Sequence, residues 1–256
     1  MPRLVVYNVE YCEGLTGAWY DYLKFWKAFF PPKGLDTRIV DELKQLHLDI
    51  LALVEIDTGS FRSKKDEVLF FENKLGLYNA VERVKYPFEG WLKLFHFVPI
   101  LDMQANAILT KYSLGGIRYH VLHEGTKRVV IEATASTPAP VTLLLAHLAL
   151  GYGARHKQIS ELAHIVNRIS TPVILMGDFN TFRGEEELTW LLSSTHLENL
   201  FKISHSGTVL TQPTYHPKRR LDYVLTSPQI HVNDYSVLRF PFSDHLPLLV
   251  DFEVHS

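Results

Sequence analysis

Cysteine is nearly absent from this chain, whose 256 residues include only Cys12. A lone cysteine excludes an intramolecular disulfide framework and a metal site built from several thiolates. The same scarcity is typical of a reducing compartment, and we expect a cytoplasmic protein. Many secreted bacterial proteins contain as little cysteine, however, and a leader that had been removed from the chain would leave no trace.

Long apolar runs and an excess of one charge are missing as well. No stretch approaches the roughly 20 apolar residues of a transmembrane helix, and Asn8 and Glu10 interrupt the N-terminal apolar run too early for a signal peptide. The formal net charge of -2 shows no basic bias of the kind that proteins binding a phosphate backbone often carry. This balance disfavours a nucleic-acid substrate without excluding one.

Internal boundaries are also lacking. The sequence contains no Pro/Gly/Ser-rich linker, no block of like charges and no repeat that would separate two folding units. With 46% hydrophobic residues, the chain has enough apolar side chains for a sizeable core. We therefore expect residues 1–256 to form a single domain, and we expect a monomer.

What the sequence does contain is a set of apolar runs that are each followed by polar residues. Uninterrupted runs of this kind are typical of strands covered on both faces. The runs are residues 4–7, 50–54, 141–146 and 172–175, and the polar residues after them are Asn8, Glu55, His147, Asp178 and Asn180. The last run leads into Gly177-Asp178-Phe179-Asn180, which could also be an ordinary turn, because these residue types tolerate the backbone angles of turns.

Two more polar groups come at the start of a strand near the C-terminus. Asp222 precedes the apolar residues 223–225, and Asp244 with His245 precedes residues 248–250. If these strands run antiparallel to the first group in a mixed sheet, all of the polar residues lie at one edge, where α/β proteins place ligands. The convergence therefore predicts a functional site.

Taken singly, some of these residues also have a structural interpretation. His147 could be a hydrogen-bonded core histidine, and Asp222 could be a surface partner of Arg219 or Arg220.

The other segments of the sequence predict ordinary helices and strands. These are a helix capped by Asp36 that ends near His47, helices at 63–75, 154–169 and 185–192, a helix stop at Gly76, and strands at 78–84, 106–109, 117–121 and 128–134.

The residue types of the predicted site narrow its chemistry. Glu55 and Asp244 offer hard anionic oxygens and Asn8 a neutral one, whereas a Cys/His cluster is lacking, so the expected metal is Mg²⁺ or Mn²⁺ rather than zinc. Asp178 is then free to orient or deprotonate a water. This combination is typical of the metal-assisted hydrolysis of a phosphate ester.

In their order along the chain, these motifs resemble the endonuclease/exonuclease/phosphatase superfamily, which has the deoxyribonuclease I-like fold. The matching residues are Asn8, Glu55, Gln104-Ala105-Asn106-Ala107-Ile108-Leu109, His147, Gly177-Asp178-Phe179-Asn180, Leu221-Asp222-Tyr223 and Ser243-Asp244-His245. The resemblance implies an α/β fold of four layers, a sandwich of two mixed sheets packed face to face with helices outside. It also implies a phosphoric ester hydrolase with Mg²⁺ or Mn²⁺ as its cofactor.

The resemblance implies a metal site and a substrate contact. Glu55 would be the principal metal ligand, with Asn8 beside it and Asp244 close to the metal. Asn106 would bind substrate, although many relatives have a glycine where Ala105 stands, so the backbone turn there can differ.

The resemblance also implies how the reaction is divided among the other residues. Asp178 would position and activate the attacking water, while Asn180 and His147 would hold the scissile phosphate. His245, oriented by Asp222, would be the charged partner of that phosphate or of the leaving group, because a carboxylate fixes the tautomer of a histidine and raises its pKa.

The substrate stays open at this point. Signatures of inositol-polyphosphate 5-phosphatases and of AP endonucleases are not visible around Asp178, which disfavours both subfamilies. The choice among a nuclease, a sphingomyelinase-like lipid phosphodiesterase and a phosphomonoesterase is unresolved by the sequence. A phosphate-binding module of the same fold without turnover is the alternative to an enzyme, and it is disfavoured because every role is filled. The aromatic segment from Trp19 to Phe30 could pack on the core as a helix, or lie at a lipid interface. We predict that it flanks the mouth of the site together with residues 91–97, where rings could also stack on bases.

Overall fold

The computed structural model describes residues 1–18, 32–60, 65–84, 104–200 and 209–255. The aromatic segment from Trp19 to Phe30 and the loop at 91–97 lie outside these ranges. Their place at the mouth of the site stays a prediction.

Within the described ranges, twelve strands form two mixed sheets of six strands each. In chain order the strands are β1 (Arg3–Asn8), β2 (Ile50–Asp57), β3 (Asn79–Val84), β4 (Gln104–Thr110), β5 (Leu114–Val121), β6 (Val129–Ala135), β7 (Val141–His147), β8 (Val173–Asp178), β9 (Glu198–Asn199), β10 (Asp222–Thr226), β11 (Ile230–Val237) and β12 (Leu248–Val254). The strand order is β11-β12-β1-β2-β4-β3 in the first sheet and β5-β6-β7-β8-β10-β9 in the second.

Each sheet contains one parallel pair, and this pairing decides where the strand ends lie. β1 runs parallel to β2, and β7 runs parallel to β8, whereas β12 and β10 run antiparallel to their neighbours β1 and β8. The carboxyl ends of the parallel strands therefore share an edge with the amino ends of β10 and β12. This is the arrangement that brings the polar residues at the strand ends to one edge.

Four layers result from the way in which apolar side chains alternate along the strands. In β1, Leu4 and Val6 face the second sheet, whereas Val5 and Tyr7 face helices, as the two-residue period of a strand requires. The helices α1 (Leu35–Gln45) and α2 (Glu67–Leu75) cover the outer face of the first sheet, and α3 (Tyr152–Val166) and α4 (Thr189–Ser194) cover that of the second. The predicted sandwich is confirmed. Among the helices described here, none is long and apolar enough to cross a membrane.

The predicted helix limits were partly wrong. Gly34, with a φ of 76°, is the N-cap of α1, so Asp36 lies inside the first turn and forms an ion pair with Lys65. The helix before Gly76 begins only after Asp66, whose carboxylate accepts a hydrogen bond from the backbone N of Leu69 at 3.0 Å. Gly76 does end this helix in a left-handed conformation. The segment predicted as one helix at 185–192 is a 3₁₀ turn, Glu185–Leu188, followed by α4.

Candidate active site

The predicted site residues meet at one edge of the sandwich, between the two sheets. Asn8 ends β1 in the first sheet, and its Nδ2 donates a hydrogen bond of 3.1 Å to Oδ2 of Asp178, which ends β8 in the second sheet. Asp178 is the register partner of Asp222 in β10 and of His147 in β7. The pairing of three neighbouring strands thus places three polar side chains in a row.

His245 is held over this row by Asp222. The Nδ1 atom of His245 lies 2.7 Å from Oδ2 of Asp222, and its Nε2 lies 4.0 Å from Oδ2 of Asp178. Ser243 Oγ donates to the backbone O of Asn8 at 2.7 Å, which fastens the loop before β12 to the end of β1. Asp222 is buried, and in the described residues it pairs with His245 rather than with a surface arginine.

The charges around His245 and Asp178 shift the pKa of both groups upward. Burial disfavours the charged imidazolium, but Asp222, Asp244 and Asp178 together outweigh it and hold the pKa of His245 well above its ordinary value. Burial raises the pKa of Asp178 to about 6, against the opposing effects of His245, Lys127 and the backbone N–H of Asn180. A carboxylate with this pKa can accept a proton near neutral pH.

The chain after Asp178 is both a tight turn and part of the site. The backbone N of Asn180 donates to Oδ1 of Asp178 at 3.0 Å, and its Nδ2 donates to the carbonyl of Leu148 at 2.9 Å. Gly177 has a φ of 131°, and a Cβ there would lie 1.9 Å from the carbonyl oxygen of Ala146. Only glycine permits this close approach of β8 to β7.

A bulge in β2 brings Glu55 to the site. The sequence predicted that the strand ends before Glu55, but β2 continues to Asp57, and its pairing with β4 shifts between Leu53 and Ile56. Glu55 has a left-handed φ of 59°, which is uncommon for residues other than glycine. Bulges re-aim side chains, so an irregularity within the strand, rather than its end, directs Glu55 inward.

Asn106 lies on β4 beside Glu55. Its Oδ1 accepts a hydrogen bond from the backbone N of Glu55 at 3.3 Å. The Nδ2 of Asn106 is buried and has no hydrogen-bond partner in the part of the chain that the structure describes. Since buried donors are normally satisfied, this amide is suited to an acceptor oxygen supplied by a ligand.

Three carboxylates crowd the side of the site that belongs to the first sheet. The backbone N of Asp244 lies 3.4 Å from Oε2 of Glu10, and Glu55 is close enough to affect both groups. Burial, followed by repulsion from Asp244, Glu13 and Glu55, raises the pKa of Glu10 well above its ordinary value. Burial also raises the pKa of Asp244. Negative charge concentrated in this way favours a bound cation.

The donor atoms of this cluster fit Mg²⁺ or Mn²⁺. Glu10, Glu55, Asp244 and the nearby Asn8 supply only oxygen ligands, which hard divalent cations prefer. Among the described residues, it is the buried group of Asp178, Asp222 and His245 that has its ligand atoms within 4.8 Å of one another. It suits Mg²⁺ less well, because it includes an imidazole and because Asp222 is already bonded to His245.

Sequence reasoning missed Glu10 and Lys127. Glu10 follows Asn8 by two residues, and its backbone N donates to Oδ1 of Asn8 at 3.1 Å. Lys127 Nζ lies 2.5 Å from Nε2 of His147 and 3.3 Å from Oε1 of Glu55. A signal for Lys127 was available, since it lies shortly before β6, which runs antiparallel to β7, much as Asp222 begins β10, which runs antiparallel to β8.

A buried glutamine holds the loop that carries Lys127. Gln158 of α3 is fully buried, and its Nε2 donates to the carbonyls of Glu124 and Lys127 at 2.6 and 2.8 Å. Its Oε1 accepts from the backbone N of Ala149 at 2.8 Å. One side chain therefore ties the loop before β6 to the loop after His147.

A buried ion pair holds the loops on the second sheet. Arg155 of α3 contacts both carboxylate oxygens of Glu187, at 2.7 and 3.0 Å. Its Nη1 donates to the carbonyls of Ala149 and Leu150, while Glu187 accepts from the backbone N of Arg183. The pair therefore links the segment after His147 to the segment after Asn180.

Comparison with known proteins confirms the family resemblance. A profile of the Endonuclease/Exonuclease/phosphatase family matches residues 6–245. A UPF0294 protein of Yersinia pseudotuberculosis is 25% identical over 158 residues, which cover 60% of this chain and 51% of that protein. The chain spans about half the length of the curated relatives it matches.

Solved structures share the fold over nearly the whole chain. An endonuclease/exonuclease/phosphatase from Beutenbergia cavernae is 18% identical and has a TM-score of 0.75. The match covers 100% of this chain and 72% of that one. A mannosyl-6-phosphatase from Bacteroides thetaiotaomicron is 16% identical, with a TM-score of 0.70 and coverage of 99% and 100%. The human Nocturnin catalytic domain, solved with a bound sulfate anion, is 20% identical, with a TM-score of 0.68 and coverage of 99% and 93%.

Proposed function

Because the chain belongs to the endonuclease/exonuclease/phosphatase family, we propose that it is a Mg²⁺- or Mn²⁺-dependent hydrolase that cleaves a phosphodiester. The observation that carries the proposal is the position of Asp178. This buried carboxylate, with a pKa of about 6, is hydrogen-bonded to Asn8 and lies 3.4 Å from His147 and 4.0 Å from His245. The crowded carboxylates of Glu10, Glu55 and Asp244 lie on the facing sheet.

In this mechanism, Asp178 accepts a proton from the attacking water while the water oxygen forms a bond to phosphorus. Asn180 and His147 hold the non-bridging oxygens of the phosphate. His245, kept protonated by Asp222, donates its Nε2 proton to the leaving oxygen as the bond from that oxygen to phosphorus breaks. The unpaired Nδ2 of Asn106 donates to a substrate oxygen.

The metal would be held by Glu10, Glu55 and Asp244 with Asn8. These residues would hold a divalent cation, which when bound would supply Lewis-acid stabilisation of the charge that develops on the phosphate. Lys127 adds a second positive charge on the side of the site that His147 occupies.

Hydrolysis of bis-p-nitrophenyl phosphate with and without Mg²⁺ tests the proposal directly. We expect turnover that depends on the metal, and p-nitrophenyl phosphate as a parallel substrate separates phosphodiesterase from phosphomonoesterase activity. Phosphate binding without any turnover would instead favour the non-catalytic module. A panel of DNA, RNA, lysophospholipids and sphingomyelin then narrows the substrate.

Replacing Glu55 by glutamine should raise the Mg²⁺ concentration needed for half-maximal activity by at least about tenfold, because one anionic ligand becomes neutral. Binding of Mn²⁺ followed by isothermal titration calorimetry should weaken to a similar degree. Glu42→Gln, on the exposed face of α1, is the matched control. An unchanged metal affinity in Glu55→Gln would remove Glu55 from the metal site.

Activity should fall as the pH drops through about 6, because Asp178 becomes protonated and can no longer accept a proton. Lys127 lowers the pKa of Asp178, so Lys127→Met should move this acid limb to higher pH. The profile of kcat against pH, measured at saturating Mg²⁺, checks the shift. The control is Lys157→Met, which removes a lysine of α3 that pairs with Glu124, a residue of the loop that carries Lys127. It should leave the pH of the acid limb unchanged. A limb that Lys127→Met does not move would contradict the assignment.

A further inference from the structure

Two grooves beside the candidate active site meet at Lys218 and Arg219. One groove, of about 390 Å³, extends from these residues to Glu10 and Asp244. The other, of about 410 Å³, extends to Phe182 and its neighbours just after Asn180. A ligand in either groove therefore lies next to the position proposed for the scissile phosphate.

The basic residues that line these grooves include three that form no ion pair with any residue the structure describes. Arg183, Lys218 and Arg219 are exposed, and within the described residues none of them forms an ion pair. Arg220 lines the same groove but lies 2.6 Å from Asn199 and 3.3 Å from Glu185, so it has a structural role. Three positive charges without an ion-pair partner among the described residues contrast with the net charge of -2 for the whole chain.

Exposed rings hold two of these cations in position. The guanidinium of Arg183 lies 3.7 Å from the centre of the Tyr152 ring, and that of Arg219 lies 5.6 Å from the centre of the Phe182 ring. Stacking on a ring orients the planar guanidinium and leaves its N–H donors at the edges available. Such a fork matches a phosphate group in shape as well as charge.

We propose that Arg183, Lys218 and Arg219 form a subsite for a second phosphate group, which the substrate carries next to the scissile one. The subsite rests on the proposed function, because it defines which phosphate esters that site accepts. The second phosphate is either the next phosphodiester of a polynucleotide or a further phosphate on a small headgroup. In both cases the chemistry is a dianionic or monoanionic phosphate bound by guanidinium and ammonium groups.

The test compares p-nitrophenyl thymidine 5′-phosphate with the same ester carrying an additional 3′-phosphate, which share one leaving group. In the wild type, we expect kcat/KM to be about tenfold higher for the ester with two phosphates, given the strength of charge-assisted hydrogen bonds. In Lys218→Gln/Arg219→Gln this ratio should fall to near one, while hydrolysis of bis-p-nitrophenyl phosphate stays unchanged. The control Lys44→Gln/Arg168→Gln removes two exposed charges, one in α1 and one just after α3, and should keep the ratio.

Equilibrium binding of oligothymidylate and of inositol hexakisphosphate distinguishes the two sources of the second phosphate. The probe whose affinity falls more in the double variant identifies the source. A ratio of kcat/KM that is equal in the wild type and the double variant, or equal binding of both probes by the two proteins, would overturn the subsite. Because binding needs no turnover, the subsite can be tested even if no ester is hydrolysed, in which case only the proposed hydrolase activity fails.

Discussion

Replacing Asp178 by asparagine should lower kcat for bis-p-nitrophenyl phosphate by about 10²- to 10⁴-fold, the usual contribution of a general base. The substitution keeps the shape of the side chain and removes its ability to accept a proton. The buried position of Asp178 and its raised pKa suit it to accept a proton near neutral pH. A steady-state assay at saturating Mg²⁺, with Asp41→Asn on the exposed face of α1 as the control, measures the loss.

The same variant should not be less stable than the wild type, which separates catalysis from folding. The pKa of Asp178 rises on folding from 3.8 to about 6, so the ionised carboxylate destabilises the folded protein above pH 6, and this cost is absent below pH 3.8. The shift corresponds to about 3 kcal/mol at neutral pH. Urea unfolding at pH 8 should therefore show an equal or higher free energy of unfolding for Asp178→Asn. Retained activity would contradict the role of Asp178 as a base, and a lower free energy of unfolding would contradict the expected gain in stability.

Removing the carboxylate of Glu187 should lower the free energy of unfolding by about 3–5 kcal/mol, because it leaves the charge of Arg155 buried and unpaired. The side chain of Arg155 is 1% exposed and that of Glu187 is 4% exposed. Urea denaturation of Glu187→Ala measures the loss, and Glu186→Ala, at the exposed neighbouring position, is the control. A change below about 1 kcal/mol, typical of a surface ion pair, would show that the pair is not buried in solution.

A double variant separates the two effects of this ion pair. In Arg155→Met/Glu187→Leu both charges disappear, so much of the stability should return. Activity should not return with it, since the carbonyls of Ala149 and Leu150 lose the guanidinium that holds them. We expect a recovered free energy of unfolding together with a lowered kcat. Recovery of both would show that the pair only stabilises the fold.

The strand ends were predictable because local patterns determine them. Apolar runs ending at Asn8, His147 and Asp178 place those residues at the carboxyl ends of β1, β7 and β8, and the chain order of the motifs led to the correct family. The bulge at Glu55 was not predictable, because it depends on how β2 pairs with β4. Asn106 of β4, which contacts Glu55, is 51 residues away in the sequence. A register shift between strands has no signature in either strand alone.

Other errors arose where contacts between distant segments decide the outcome. Asp36 has the residue type of an N-cap, but Gly34 allows the helix to begin earlier, and the carboxylate of Asp36 pairs with Lys65 instead. Lys127 has no distinctive sequence context, and it contacts His147 from a loop whose position is set in part by the hydrogen bond from Gln158 to the carbonyl of Lys127. The roles of the site residues remain predictions, which the variants above are designed to test.

The site is divided between the two sheets, and its geometry therefore depends on how the sheets are aligned. The hydrogen bonds from Asn8 to Asp178 and between His245 and Asp222 each join one sheet to the other. If one sheet slid over the other by about 1 Å, both hydrogen-bonded pairs would separate. A displacement of that size can lower the rate about 10²-fold even though the protein stays folded. The catalytic rate would thus depend on the alignment of the two sheets. Apolar residues that are buried between the sheets, far from any substrate, would help to set that rate.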